Sequence, residues 1–234
     1  MTEMPNEIQL QAAVTEWSDY ALDTFVAPEL SKFTDASIPD VSRYKESREW
    51  WVRHFFLNSM FRATVASPYR QYMLNFLRRA ELSFQEYELA RERTLKYLEN
   101  PRNRGTGHYV AAIGHWEMFL SQAWHTYLLF SYIDGRNGKD IFKLGDGTEE
   151  ERLNFLYNRS KHAESTINGD FYPKESTLCI WLYNDGLKVT SDLKTDGHLT
   201  FLEMFGMLQE FAKWADLVED PATLREKVVR DSGT

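Results

Sequence analysis

Three stretches of the chain carry the same helix-start signal: Ser83-Phe84-Gln85-Glu86, Thr148-Glu149-Glu150-Glu151 and Thr200-Phe201-Leu202-Glu203. In each, a hydroxyl can accept from the backbone N–H three residues on, and a Glu can reach back to the cap. Starts of this kind, each at the head of a periodic apolar segment, constrain the chain to be mainly helical. A first helix is expected from after Asn6 to about Ala27, where Pro28 stops it. A second, from about Ser42 to Ala66, contains "EWWVRHFFLNSMF" and is apolar around its circumference, which predicts burial. A third opens with Ser67 as N-cap and Pro68 in the first turn, is re-nucleated at Ser83 and runs to Glu99.

"NPRNRGTG", Asn100 to Gly107, then breaks the pattern and divides an N-terminal helical extension, 1–100, from a helical core, 101–234. His108 to Tyr132 reads as one long buried helix, and Thr148 starts the next. "STLCIWLYNDGLKVTSDL" alternates instead, and predicts a β-hairpin with Asp185-Gly186 at its turn, Gly186 at positive φ and Trp181 packed on the helices. A helix from Thr200 to about Val218 and a short one capped by Asp220-Pro221 complete the chain. The expected fold is mainly α: a helical bundle of about six to eight helices with one C-terminal β-hairpin.

Composition narrows the class. Hydrophobic residues at 43% and aromatics at 15% supply a core. Cys179, the single cysteine, excludes an internal disulfide and a cysteine zinc cage, and fits a cytoplasmic protein. "MTEMPNEIQL" lacks the basic start and apolar run of a signal peptide. The most apolar stretch, Tyr109 to Ile133, is broken by Gly114, His115, Glu117, Gln122 and His125, so no membrane span is expected. Phosphate-loop, Gly-x-Ser-x-Gly and His-Glu-x-x-His patterns are missing, and no His has Glu three residues before it. Neither a metal nor a cofactor is expected.

The net charge of −8 is uneven: residues 43–79 hold eight Arg and Lys against two acids. Within that segment Arg48, Arg53, Arg78 and Arg79 are candidate RNA-binding residues. The competing reading pairs the segment with the acidic N-terminal region (Glu3, Glu7, Glu16, Asp19, Asp23, Glu29), or leaves it as a solvated face.

"RLNFLYNRSKHAES", residues 152–165, concentrates chemistry. Wound as a helix, Leu153, Leu156, Tyr157, Ser160 and Ala163 form a core face, and Asn158, Arg159 and His162 gather on the opposite side around Phe155. His162 is placed to move the proton of a ribose hydroxyl, Arg159 or Lys161 to offset charge on phosphate, and Asn158 to orient the group, with no metal required. The plainer reading is that basic residues in a last turn answer the helix dipole. Phe155 on the polar side predicts a covering surface, most simply that of a homodimer.

Four phrases, "AIGHWEMFLSQAW", "YNRSKHAES", "WLYNDGL" and "LTFLEMFGMLQEFAKWADLV", in that order over residues 108–219, resemble the HEPN superfamily (higher eukaryotes and prokaryotes nucleotide-binding). The resemblance implies a compact helical bundle that binds RNA or nucleotide, of the kind found in ribonucleases, toxins and antiphage systems. Active members carry Arg, four to six residues and His, paired across a dimer. The positions that would hold the arginine for His162 are Phe155, Leu156 and Tyr157, so the motif is degenerate. The same spacing recurs as Arg48…His54 and as "RNRGTGH", where Arg102, Asn103 and His108 form an alternative catalytic set. Two functions follow: an RNA- or nucleotide-binding protein with metal-independent ribonuclease activity, or a catalytically inert helical protein that dimerises or engages a protein partner.

Overall fold

The longest amphipathic pattern forms the spine. In a computed structural model, which describes residues 7–99, 106–169, 176–190 and 197–224, α3 (Tyr69–Glu99) and α4 (Thr106–Ile133) lie antiparallel as a helical hairpin. Aromatic residues fill the seam: Tyr87 meets Trp116 and Phe119 edge-on, Tyr97 meets Tyr109, and Phe76 meets Phe130. Polar groups in the seam are satisfied locally. Trp116 Nε1 donates to Thr94 Oγ1 at 3.1 Å, and Thr94 in turn donates to the Ala90 carbonyl.

Around this spine stand α1 (Glu7–Ala21), α2 (Lys45–Arg62), α5 (Gly138–Ile141), α6 (Glu149–Lys161), α7 (Ala163–Asn168) and α8 (Phe201–Val218). A three-stranded antiparallel sheet, β1 (Ile180–Tyr183), β2 (Gly186–Val189) and β3 (His198–Thr200), completes the C-terminal half. The fold is mainly α, as expected. α8 packs on the spine through Phe130 and Trp214, stacked at 3.9 Å, and through the tilted Trp116–Phe201 pair. An Arg152–Glu203 ion pair ties α6 to the start of α8. One continuous core runs from Ala27 to Val218, so residues on both sides of the expected division share it. Residues 100–105 themselves lie outside the described residues.

The three capping boxes part company. At Thr200 both halves form: its Oγ1 accepts from Glu203 N, and Glu203 accepts from Thr200 N at 2.8 Å. At Thr148 only the first half forms, because Glu151 is buried and accepts instead from Gly145 N and Gly147 N. Ser83 caps nothing. It lies inside the unbroken α3, where every N–H already has its carbonyl, and its hydroxyl donates back to the Arg79 carbonyl at 2.9 Å.

Two other expectations need correction. α2 is not largely buried: Trp51, Phe55 and Ser59 are its buried residues, and the opposite side is exposed. The hairpin turn is Asn184-Asp185, with Tyr183 paired to Gly186. Gly186 is a strand residue and does not take a positive φ. A Cβ there would meet the Leu199 carbonyl oxygen at 2.2 Å, so the glycine serves the close approach of β3. Trp181 is buried against the helical body.

Candidate functional site

α6 ends because His162 leaves helical geometry (φ −111°, ψ 47°), although its N–H still reaches the Asn158 carbonyl at 3.0 Å. This break limits the helical projection to residues before His162. The side chains of the last turn each have a neighbour of their own. Asn158 Nδ2 donates to Asn154 Oδ1 at 3.0 Å, an oxygen that also accepts from Trp124 Nε1. Arg159 lies over the Phe155 ring at 4.9 Å, and Lys161 over Tyr157 at 5.6 Å. His162 is half exposed, with Nδ1 4.0 Å from Glu164 Oε1. Phe155 is partly buried on its own chain's core, beneath the Arg159 guanidinium.

Lys161 belongs to a wider constellation whose hub is Tyr157. This tyrosine is buried and stacks on Trp124 (5.0 Å), which stacks on Phe142 (5.2 Å); the His125 ring stands 5.9 Å away. On the α3 side Arg79 Nη1 donates to Gln122 Oε1 at 2.6 Å. Burial and the adjacent Arg78 lower the Arg79 guanidinium from its ordinary value, and the nearby Tyr157 opposes them. It remains cationic. Exposed Met118 lies one turn before Gln122 on α4.

Arg79, held to α4 by Gln122, and Lys161, over the Tyr157 ring that His125 also meets, therefore flank one face of α4, with exposed Arg78 beside Arg79 on α3. Among the described residues no carboxylate pairs with any of the three cations. Cations left unneutralised beside aromatic rings suit a phosphate-bearing, base-stacking ligand.

The other two arginines are elsewhere. Arg48 is largely buried and pairs with Glu88 at 2.8 Å. Arg53 lies over the Trp50 ring at 4.7 Å on α2. Of the acidic N-terminal region, Asp23 accepts from Ser31 and Glu29 pairs with Lys32, and the α2 cations Arg48 and Arg62 turn to Glu88 and Asp220; Glu3 lies outside the described residues. His108 is exposed in the first turn of α4; Arg102 and Asn103 lie outside the described residues. No group of three His, Cys, Asp or Glu among the described residues is placed to hold a metal, and no described helix is long and apolar enough to cross a membrane.

Beneath the α6 end, Ser160 Oγ donates to Glu117 Oε1 at 3.0 Å, and burial raises the Glu117 carboxyl above its usual range. A raised folded value favours the protonated form. The associated stability is complete below the ordinary carboxylate range and is lost as pH rises through the raised value. Glu117→Gln, which keeps an acceptor for Ser160, is expected to raise the melting temperature at neutral pH. Thermal unfolding across pH should show that gain vanish in acid; a gain independent of pH would contradict the assignment.

A scan of protein-family models finds no match, and neither the curated proteins nor the solved structures contain a significant match to this chain.

Proposed function

We propose that this chain is a HEPN-like RNA-binding protein of the cytoplasm that acts as a homodimer and holds single-stranded RNA across α4. The observation that carries the reading is the approach of Arg79 and Lys161, from two helices, to Tyr157 beside His125, with Arg78 next to Arg79 and no carboxylate paired with any of the three cations among the described residues. Phosphates meet the cations, and bases stack on Met118 and the aromatic edge. The order of elements, a long buried helix, a helix ending in the polar stretch, a hairpin and a closing helix, supports the HEPN-like part. Cleavage in this reading is metal-independent: His162 moves the ribose proton, with Lys161 or Arg159 on phosphate and Asn158 orienting.

The test is fluorescence anisotropy of a short single-stranded RNA at graded salt. Three phosphate contacts predict a log–log salt slope of about −2. Absence of binding at low salt would overturn the proposal. Cleavage should persist in EDTA, fall by about 10²-fold in His162→Ala and be untouched by His108→Ala. Binding without cleavage removes His162 from a catalytic role and leaves the RNA face standing. The second reading, a catalytically inert interaction protein, is favoured by a different observation, the exposed apolar side of α2.

A further inference from the structure

α2 is apolar on two opposite sides. Trp51 and Phe55 face the core, and Trp50, Phe56, Leu57, Met60 and Phe61 face outward with 39% to 79% of their surface exposed. At 100° per residue these five, with Arg53 among them, form one unbroken stripe opposite the buried side. A contiguous exposed patch of this kind marks an interaction surface. A second apolar face is also unpartnered. On α1, Val14, Trp17 and Tyr20 share one side and are 59% to 70% exposed, and the helix packs mainly on the two short turns that follow it.

We propose that the α1 arm of one protomer lies along the α2 stripe of a second copy, and that the exchange is reciprocal. The apolar faces drive this pairing, and net charge does not: from Glu7 to Val26 the arm carries Glu7, Glu16, Asp19 and Asp23 and no base, and the α2 stripe carries Arg53 together with Glu46 and Glu49, with Lys45 at its edge.

Reach keeps the chain's own arm from the far end of the stripe, at Met60 and Phe61. Ala27 and Leu30 wind directly into Phe33, which stacks on Tyr97 near the end of α3. α2 runs antiparallel to α3, with Arg48 against Glu88 and Val52 N donating to Glu81. Met60 therefore sits about 36 Å along α3 from that root, beyond the roughly 30 Å that the arm's helical residues Glu7 to Val26 span. Size is adequate as well. The five aromatics on the two faces offer roughly 600 Å² per contact, and a reciprocal pair doubles that to about the area of a stable specific interface. This face is separate from the RNA face, and the inference does not rest on the RNA reading.

Sedimentation of the full chain at micromolar concentration tests it. The wild type is expected to be a dimer, with Trp17→Glu and Phe61→Glu each monomeric and undiminished in helical circular dichroism. An equimolar mixture of the two variants should regain association, because one intact arm meets one intact stripe. A monomeric wild type overturns the proposal. So does a dimer that Phe61→Glu breaks and Trp17→Glu leaves intact, since the stripe would then pair with itself. A mixture no more associated than either variant alone overturns the exchange.

Discussion

Arg78→Glu combined with Lys161→Glu is expected to weaken single-stranded RNA binding on the order of 10³-fold at low salt. A cation about 4 Å from a phosphate in water contributes about 1 kcal/mol, so each reversal swings about 2 kcal/mol and the pair about 4. Neither side chain takes part in an ion pair among the described residues, and both are exposed, so the fold should tolerate the change. Arg79 is the wrong residue to alter, because its bond to Gln122 joins α3 to α4. The salt slope should also fall by about 1.4, the loss of two contacts. Lys213→Glu on α8 supplies the control: it reverses one exposed charge beside Tyr44 and Asp216, on a different face, and should leave the affinity within a few-fold. Anisotropy titrations of the three proteins measure all of this. A double variant that binds like wild type would place RNA elsewhere or nowhere.

How far the sequence is legible can be followed residue by residue. The same four-residue pattern occurs at Ser83, Thr148 and Thr200, and only Thr200 completes it. The signal means a helix start only where the preceding chain is not already helical. At Ser83 the apolar periodicity of α3 continues from Met73 through Tyr97, so there are no orphan N–H groups to cap. At Thr148 the glutamate has a stronger demand, the two glycine N–H groups of the preceding loop. α2 failed differently. Apolar residues on every side are compatible with burial in the chain or against another surface, and periodicity cannot tell one from the other. For the candidate site, charge alone pointed to Arg78, Arg79 and Lys161. His125 and Tyr157 were missed as site residues, because what joins them is the packing of α3, α4 and α6, at sequence separations no local pattern spans. Arg48 shows the converse: it looked like a binding residue and is consumed by Glu88.

Gly186→Ala is expected to destabilise the protein by about 3 kcal/mol, and the sign of that effect is informative. Where a glycine merely adopts an ordinary backbone, alanine stabilises by about 0.4–1 kcal/mol through the unfolded chain. Gly186 has such a backbone, since its φ is not positive. Yet its Cβ would stand 2.2 Å from the Leu199 carbonyl oxygen and 2.6 Å from Thr200 Cα, both backbone atoms that no rotamer change can move aside. β3 has to retreat. With it go the Gly186–Thr200 register, the Phe201 N–H bond to the Asp185 carbonyl at 2.7 Å, and the Thr200 cap that starts α8. Overpacking of this kind costs about 1–3 kcal/mol, and a disturbed cap adds about 1 kcal/mol. The entropic gain is smaller than either. For a chain of this size a loss near 3 kcal/mol lowers the melting temperature by about 6–12 °C, which differential scanning calorimetry resolves easily. Thr200→Ala should reproduce only the cap's share. A Gly186→Ala protein that melts at or above the wild-type temperature would mean that β3 yields freely, and that the junction of sheet and α8 is not the rigid element these distances describe.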